Sequence, residues 1–386
     1  MPASSKDKEL VYFDYAATAP FDERLKDDIL NSSWANANSL HSMGQEARRQ
    51  LDDARRKLSY ELGARRPSEI IFTSCATESC NTVFEGAITH KMTHVLISEI
   101  EHPAVMRAAN ALKEKGIKVA TIAPSCEGIV EASALDEKLC ALESAGANVG
   151  IVAIQMVNNI IGTIQPYKEL AKVAHNHGAL FMCDSVQALG KIEIDLENSG
   201  IDFASFSGHK IGAPKGIGAL YIRTGVHCNP LLRGGKQEMG LRSGTQNVAG
   251  AVAFAHAAEL ANAECKHSSD HLGFIRKMLL AKLKMIDLPH NLKPVISEDV
   301  AHVPHILSLI CDGLEGETLV LRFDNAGFAI SSGSACSTAS LAPNPVLTAM
   351  GFSEDEAYNS IRLSFGKDTT AKQVDKLFEV LPEVLS

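Results

Sequence analysis

The chain has 386 residues, 45% of them apolar and 22% charged, and carries a formal net charge of −9. This length suits two domains or one large body with an appendage. The negative charge argues against nucleic-acid binding, which needs clustered lysine and arginine. No apolar run approaches the roughly 18 residues of a membrane helix, and the opening MPASSKDKEL lacks the apolar segment of a signal peptide. We therefore expect a soluble, cytoplasmic protein with neither nucleic acid nor membrane as a partner.

Short apolar runs alternate with amphipathic helical segments over most of the chain. The runs that predict strands are EIIFTS (69–74), THVLISEIE (93–101), KVATIAP (118–124), VGIVAIQMVN (149–158), ALFMCDSVQ (179–187), FASFSG (203–208) and GALYIRTG (218–225). The helical patterns include ATESCNTVFEGAITH (76–90), HPAVMRAANALKEKG (102–116) and YKELAKVAHNHG (167–178). This alternation predicts an α/β protein with a mostly parallel sheet, in which ligands bind at the carboxyl ends of the strands.

The pattern changes from about residue 247 onward. One long alanine-rich helical pattern covers 247–286, and we expect it to bend or break near Ser268. HILSLICDG (305–313), EGETLVLRFDNAG (315–327) and SIRLSFG (360–366) follow it. These segments predict a second, smaller α+β domain.

The nine cysteines are odd in number, scattered, and include no C-x-x-C pair. We therefore expect neither a disulfide framework nor a metal site, and most of these thiols should be small buried hydrophobes. Cys336 differs, because SSGSACSTASLAP (331–343) surrounds it with small and hydroxylated residues that cannot pack around a core thiol. This setting favours a nucleophilic thiolate on a mobile loop.

A lysine in the stretch SFSGHKIGAPKGIGALYI (205–222) has the surroundings of a cofactor site. Lys210 follows a strand and is flanked by glycines, where its amine can form a Schiff base with an aldehyde cofactor; the alternative is an ordinary surface lysine. Asp184 ends an apolar strand 26 positions earlier. Its carboxylate can pair with a protonated pyridine nitrogen, or it can simply cap the following turn.

Three further segments are candidates for binding a phosphate or a ring. Ala76 and Thr77 begin a helix directly after a strand, which suits a phosphate but is also compatible with a plain capping box. The run GGKQEMGLRSGT (234–245) can bring the Ser243 and Thr245 hydroxyls to a phosphate. His102 follows a strand and can stack on a ring or carry protons.

Taken together, these motifs resemble the NifS/IscS-like cysteine desulfurases, a branch of the class V aminotransferases that use pyridoxal 5′-phosphate. The resemblance covers nearly the whole chain. It rests on FDYAATAP (13–20), NANSLHSMG (36–44), FTSCATES (72–79), SEIEHPAV (98–105), VNNIIG (157–162), DSVQALGK (184–191), SFSGHKIGAPKGIGALYIR (205–223), LRSGTQNV (241–248), SSGSACSTASL (331–341) and IRLSFG (361–366). The chain departs from the usual pattern at Cys75, Ile160, Lys236 and Met239.

The resemblance implies a fold-type I pyridoxal-phosphate transferase that forms a homodimer. We expect a large domain over 15–258, with a seven-stranded, mostly parallel sheet. The smaller domain would comprise 1–14 and 259–386 and carry the cysteine loop at about 331–343.

The resemblance also assigns roles to individual residues. Cys336 would form the persulfide, Lys210 would hold the cofactor and His102 would stack on its ring and serve as the base that deprotonates the thiol. The remaining cofactor contacts would come from Ala76, Thr77, Asn159, Asp184 with the pyridine nitrogen, Gln187 with the ring hydroxyl, Ser207, His209 and, from the second subunit, Thr245. Substrate carboxylate would be bound by Arg362, whose planar fork suits it, together with Asn159 and Asn36.

The implied reaction removes sulfur from L-cysteine, leaves L-alanine and passes the sulfur from Cys336 to an acceptor. That acceptor would be an iron–sulfur scaffold or a relay protein such as one serving tRNA thiolation. The alternatives are a selenocysteine lyase, another class V enzyme, or a catalytically inactive binding protein. A plain aminotransferase would need no thiol like Cys336, and a nicotinamide-dependent oxidoreductase would need a G-x-G-x-x-G after an early strand, which is absent.

Overall fold

The computed structural model describes residues 10–333 and 342–386. Within these residues the strands are, in chain order, β1 (Val11–Tyr12), β2 (Ile70–Thr73), β3 (His94–Ser98), β4 (Lys118–Ile122), β5 (Val149–Ala153), β6 (Leu180–Asp184), β7 (Phe203–Ser207), β8 (Gly218–Ile222), β9 (Leu292–Pro294), β10 (Ile306–Cys311), β11 (Phe328–Ala329), β12 (Ser331–Ser332) and β13 (Ser360–Ser364). The α-helices are α1 (Lys26–Leu30), α2 (Ser42–Glu61), α3 (Ala76–Gly86), α4 (Pro103–Ala111), α5 (Ala132–Ser144), α6 (Tyr167–Asn176), α7 (Val248–Met285), α8 (Gly316–Asn325), α9 (Pro345–Ala349), α10 (Glu354–Tyr358) and α11 (Ala371–Val384).

The main sheet has seven strands in the order β2-β8-β7-β6-β5-β3-β4. All its pairings are parallel except those of β8, which is antiparallel to both neighbours. The mostly parallel α/β sheet that the sequence predicts is therefore confirmed. Because β8 alone is reversed, the other strands end at one common edge, which we call the carboxyl edge. Apolar clusters cover both faces of the sheet, so its strands are mostly buried. The exception is edge strand β4, in which only Ile122 is buried.

Helix α7 is continuous from Val248 to Met285, so the predicted break near Ser268 is wrong. Its first part is buried against the main sheet, and its later residues from Leu272 to Leu280 belong to a second apolar cluster. Packing at both ends keeps the helix continuous through a polar middle segment whose intrinsic helix propensity is modest.

The second apolar cluster lies around a smaller sheet with the order β12-β13-β10-β9, all antiparallel. Chain segments from both termini meet here, since β1 pairs in parallel with β11 and Phe13 packs edge-on against Phe365 with ring centroids 5.1 Å apart. This observation agrees with a smaller α+β domain, while the limits 15–258, 1–14 and 259–386 stay a prediction. No helix among the described residues combines the length and the apolar character that a bilayer crossing requires.

A buried ion pair fastens the glycine-containing segment 234–245 to the main sheet. Arg55 of α2 donates to both carboxylate oxygens of Glu238 at 2.7 and 2.8 Å, and to the carbonyl oxygen of Ile70 at 2.5 Å. The Phe72 N–H also donates to Glu238, at 2.8 Å. Glu238 adopts a left-handed φ of 48°, a conformation that costs energy for a residue with a side chain. The pair therefore holds a strained segment in place.

We expect Arg55→Met to lower the free energy of unfolding by about 3–5 kcal/mol, because it leaves the Glu238 carboxylate buried without its cation. Urea unfolding at neutral pH measures the change. Lys57→Met is the matched control on the same helix, since the Lys57–Glu259 pair is exposed and such pairs contribute about 0–1 kcal/mol. Equal effects of the two substitutions would contradict the prediction.

Candidate active site

A cavity of about 310 Å³ lies at the carboxyl edge of the main sheet. Its walls contain most of the residues singled out from the sequence. These are Ala76, Thr77, His102, Asn159, Asp184, Gln187, Ser207, His209, Lys210 and Arg362. The topology explains the convergence, because the segments that follow β2, β3, β5, β6 and β7 all begin at this edge.

Lys210 lies in a short 3₁₀ turn, Gly208–Ile211, directly after β7. Gly212 ends this turn with φ at +85°, a left-handed conformation that favours glycine. The Lys210 ammonium donates to the carbonyl oxygens of Ala16 and Ala17 at 2.6 and 2.7 Å. These contacts hold the amine against Ala16 and Ala17 in the cavity wall, so Lys210 is not an ordinary surface lysine.

Asp184 is the last residue of β6 and is 7% exposed. Its Oδ1 accepts hydrogen bonds from the Ser205 hydroxyl at 3.2 Å and the Val186 N–H at 3.1 Å. The second bond is the turn cap that the sequence left open as an alternative. No described residue donates to Oδ2, so one carboxylate oxygen stays available to a cationic group in the cavity.

The first turn of α3 reaches the cavity through Ala76 and Thr77. Cys75 at the N-cap makes no capping hydrogen bond with its side chain. Ser79 is the first residue of the helix whose N–H has a backbone acceptor, the Cys75 carbonyl at 3.2 Å. The N–H groups of Ala76, Thr77 and Glu78 therefore lack backbone acceptors in the described chain. An uncapped helix start of this kind binds anions.

Glu78 does not close a capping box, so that alternative does not hold. Its carboxylate accepts from the Ser74 N–H at 2.8 Å and from Arg242 at 2.9 Å. Burial raises the pKa of Glu78, but these hydrogen bonds and the Arg242 charge outweigh it and hold the pKa below its usual value. The helix start thus keeps its donors while Arg242 neutralises the nearest carboxylate.

His209 stands beside Lys210 and is electrically neutral near pH 7. Burial, followed by the positive charges of Lys210 and Lys215, lowers its pKa to about 4. Its Nδ1 lies 3.1 Å from the Thr18 hydroxyl. A neutral imidazole here can donate one hydrogen bond to an anion without adding a positive charge beside Lys210 and Lys215.

His102 caps α4, with Nδ1 accepting from the Ala104 N–H at 3.1 Å. In the neutral ring this bond places the proton on Nε2. His102 can therefore donate a hydrogen bond from Nε2, but accepting a proton at Nδ1 would cost the helix cap. The role of thiol base predicted for His102 requires this hydrogen bond to break.

Arg362 lies in β13 with a side chain only 3% exposed. One of its terminal nitrogens donates to the Asn159 carbonyl at 2.8 Å, and the other to Asp14 at 2.9 Å and to the Ser331 hydroxyl at 3.1 Å. Its Nε is buried and has no hydrogen-bond partner among the described residues. A buried, unsatisfied donor of a cation on the cavity wall is suited to an anionic ligand. Arg362 is therefore not a strand-end surface charge.

Asp14 and Ser331 are the functional neighbours that sequence reasoning missed. Asp14 accepts from Ser331 at 2.7 Å as well as from Arg362. Ser331 is paired with Arg362 in the β12–β13 register and begins the segment that carries Cys336. The only available signals were the position of Asp14 inside FDYAATAP and that of Ser331 at the head of SSGSAC.

Gln187 is 6% exposed, and its amide donates to the Ala16 carbonyl at 2.9 Å, the same oxygen that Lys210 contacts. Asn36 and Thr245 are exposed and do not line this cavity. Their roles, the second assigned to the partner subunit, stay predictions. Cys336 lies outside the described residues.

Glu101, directly before His102, has a buried carboxyl group. Its Oε1 accepts from the Ser98 hydroxyl at 2.5 Å and the Gln155 N–H at 2.8 Å, while Oε2 has no partner in the part of the chain that the structure describes. Burial is the main cause that raises the pKa of Glu101 from 4.5 to about 8, and the charge of Asp184 adds to it. The folded chain therefore keeps this carboxyl protonated at neutral pH.

We expect the wild type to lose stability relative to Glu101→Gln as the pH rises from about 5 to 8. Over this range the unfolded carboxyl has lost its proton and the folded one retains it, so proton release favours unfolding. The amide of the variant is always neutral and has no such dependence. Urea midpoints of both proteins at pH 5, 6.5 and 8 test this. Parallel pH profiles would show that Glu101 is ionised in the fold.

Comparison with known proteins identifies the family of the chain. The family model for class V aminotransferases matches residues 11–377. The chain is 37% identical over 380 residues to cysteine desulfurase IscS 1 of Archaeoglobus fulgidus, covering 97% of this chain and 96% of the relative. It is 34% identical over 381 residues to cysteine desulfurase NifS of Azotobacter vinelandii, covering 97% and 92%.

Solved structures give the same result. A NifS-like protein superimposes with a TM-score of 0.88 at 34% identity, covering 97% of this chain and 99% of that one. The structure of SspA in complex with cysteine matches with a TM-score of 0.77 at 32% identity, covering 93% and 100%. The chain belongs to the class V aminotransferase family, and its resemblance to the NifS/IscS-like members is confirmed.

Proposed function

We propose that this chain is a cysteine desulfurase that takes sulfur from L-cysteine, releases L-alanine and carries the sulfur as a persulfide on Cys336. Pyridoxal 5′-phosphate is its cofactor. The observation that carries the proposal is the convergence of Lys210, the open oxygen of Asp184, the uncapped start of α3 and the unsatisfied Arg362 on one cavity. The curated relatives with this activity match nearly the full chain.

The residues present fit this cofactor. The free N–H groups at the start of α3, with the hydroxyls of Thr77 and Ser207, supply donors for a phosphate dianion, and neutral His209 adds one without extra charge. The Oδ2 of Asp184 is suited to hold a proton on the ring nitrogen. The bound cofactor supplies an aldehyde that condenses with amines and a ring that accepts electrons from the substrate.

Arg362 positions the substrate through its carboxylate. The buried Nε can donate to one carboxylate oxygen. The neighbouring terminal nitrogen can donate to the other oxygen once its hydrogen bond to Asp14 breaks. Asp14 otherwise keeps the guanidinium paired and correctly oriented. Because the Cα of the amino acid is then fixed between Arg362 and Lys210, the lysine amine can remove the Cα proton at its Nζ.

The sulfur step requires a thiolate on Cys336. This thiolate attacks the substrate sulfur, so that a sulfur–sulfur bond forms and the bond between sulfur and Cβ breaks. The electron pair of the broken bond stays with carbon, so Cβ takes up a proton to become the methyl group of alanine, and Lys210 Nζ returns a proton to Cα. The step balances without an external oxidant or reductant. With Nδ1 capping α4, neutral His102 can donate a hydrogen bond from Nε2 but does not give up that proton.

The persulfide leaves the site by transfer to an acceptor protein of iron–sulfur cluster assembly or tRNA thiolation. The active form is a homodimer in which Thr245 reaches the phosphate of the other subunit. Exposed Thr245 and exposed Asn36 belong to neighbouring segments, since Asn38 donates to Gln246 at 3.0 Å. Their exposure in the single chain supports this assignment.

The test is alanine release from L-cysteine by the cofactor-loaded protein, alone and as Cys336→Ala, with cofactor content measured by absorbance. We expect alanine from the wild type and almost none from the variant at equal cofactor content. Equal release from both proteins would remove Cys336 from the reaction. Release only from selenocysteine would identify a selenocysteine lyase, and a wild type that binds no cofactor would overturn the proposal.

A further inference from the structure

A cluster of unlike metal-ligating side chains lies between α5 and α6, away from the active site. Asp136, Cys140 and Glu143 follow one another on α5 at spacings of four and three residues, which places them along one side of the helix. His177 directly follows α6 and extends toward them. Side-chain contacts join the two elements, with His177 Nε2 lying 3.0 Å from Asp136 and Nδ1 lying 2.9 Å from Glu143.

The position of His177 is fixed by the backbone. Its N–H donates to the Val173 and Ala174 carbonyls at the end of α6, and Gly178 continues with a left-handed φ of +72°. The imidazole is mostly covered, with 11% of its side chain exposed, while Asp136 and Glu143 remain 54% and 44% exposed. The ring is thus held in place at a site that solvent ions can reach.

We propose that Asp136, Cys140 and His177 form a binding site for a divalent cation of the zinc class. One ligand atom from each residue lies within 4.8 Å of the other two. Tetrahedral zinc sets its ligand atoms about 3.3–3.8 Å apart, so small side-chain rotations suffice. An imidazole, a thiolate and a carboxylate are preferred zinc ligands, and their combined charge balances that of the ion.

Glu143 completes the arrangement from outside the ligand set. A metal-binding histidine usually donates its other ring N–H to a carboxylate, which fixes the tautomer and leaves the second nitrogen for the ion. Glu143 occupies that position on Nδ1, so Nε2 is the atom directed at Asp136. An ion pair alone would account for the two carboxylates, but the exposed Cys140 thiol adds a third kind of ligand.

The topology separates this site from the catalytic cavity. His177 precedes the first residue of β6, whereas Asp184 is its last, so the cluster lies at the opposite, amino edge of the sheet. The bound ion would connect α5 to the α6–β6 turn without touching cofactor or substrate. The proposed ion site is therefore separate from the desulfurase activity, and each proposal can be tested independently of the other.

The test is a Co²⁺ titration of the cofactor-loaded protein, followed by the d–d absorption bands at wavelengths where pyridoxal phosphate does not absorb. We expect bands of tetrahedral intensity that saturate at one equivalent. Zn²⁺ should displace the Co²⁺ and raise the melting temperature. Cys140→Ser and His177→Gln should each weaken binding at least tenfold, and Glu143→Ala about 10–100-fold. Alanine release by Cys140→Ser should match the wild type.

Two controls make the result specific. Cys126→Ser removes another exposed thiol outside the cluster and should titrate like the wild type. Cys336→Ala should also keep the bands. Loss of the bands in Cys336→Ala together with their retention in Cys140→Ser would overturn the proposal by placing the ion at the catalytic thiol. Failure of the wild type to develop tetrahedral bands would overturn it as well.

Discussion

Replacing Lys210 with alanine abolishes alanine release from L-cysteine, with an expected loss of roughly 10⁴-fold or more. The proposed function gives the amine two roles at one atom, since Nζ would both hold the cofactor and take the Cα proton of the substrate. Its geometry supports both, because the carbonyls of Ala16 and Ala17 orient it at the cavity floor. No other lysine lines this cavity among the described residues.

The decisive measurement combines activity with cofactor attachment. After reduction with borohydride, the wild type should carry the pyridoxal group covalently on the peptide containing Lys210, and Lys210→Ala should carry none. Lys215→Ala is the matched control, because Lys215 lies on the same loop but is exposed. A Lys210→Ala protein that still releases alanine at more than a hundredth of the wild-type rate would contradict the assignment.

The residues assigned to the cofactor could be located on one cavity from the sequence because each lies at the end of a strand of the main sheet or shortly after it. Asp184, Lys210 and the start of α3 are each local to a strand end, and parallel strands bring their carboxyl ends together. The local sequence pattern around each strand end was therefore enough to predict that these residues lie close together. The continuity of α7 was missed because two separate apolar clusters hold its ends, and no local signal reports such packing.

The substrate half depended on contacts between distant segments. Asp14 meets Arg362 across a separation of 348 residues, and no periodicity marks such a pair. The tautomer of His102 is likewise decided by a single backbone N–H at the start of α4. The cluster of Asp136, Cys140 and His177 was not expected, because its ligands come from two elements and form no recognisable spacing.

Arg362→Lys should weaken binding of ligands that carry an α-carboxylate by about 10–100-fold. This factor is the loss of affinity expected when charge-assisted hydrogen bonds are removed while a positive charge remains. L-alanine and ethylamine are suitable competitive inhibitors, because they share an amine and differ in the carboxylate. The inhibition constant of L-alanine should rise by this factor in the variant, and that of ethylamine should stay unchanged. The KM of L-cysteine should rise more than kcat falls.

The design separates recognition from damage to the fold. Lysine retains a cation beside Asp14 but loses hydrogen bonds to the Asn159 carbonyl and Ser331. The free energy of unfolding of Arg362→Lys should therefore fall by only about 1–3 kcal/mol, which leaves the protein folded in the assay. Arg322→Lys is the matched control, since the acceptors of Arg322 among the described residues are the carbonyl oxygens of Val384 and Ser386, near the C-terminus. Equal weakening of L-alanine binding and ethylamine binding would mean that Arg362 supports the cavity as a whole and does not bind the carboxylate. The unsatisfied Nε of Arg362 argues for the opposite outcome, because a buried cationic donor without a partner is costly until an anion binds it.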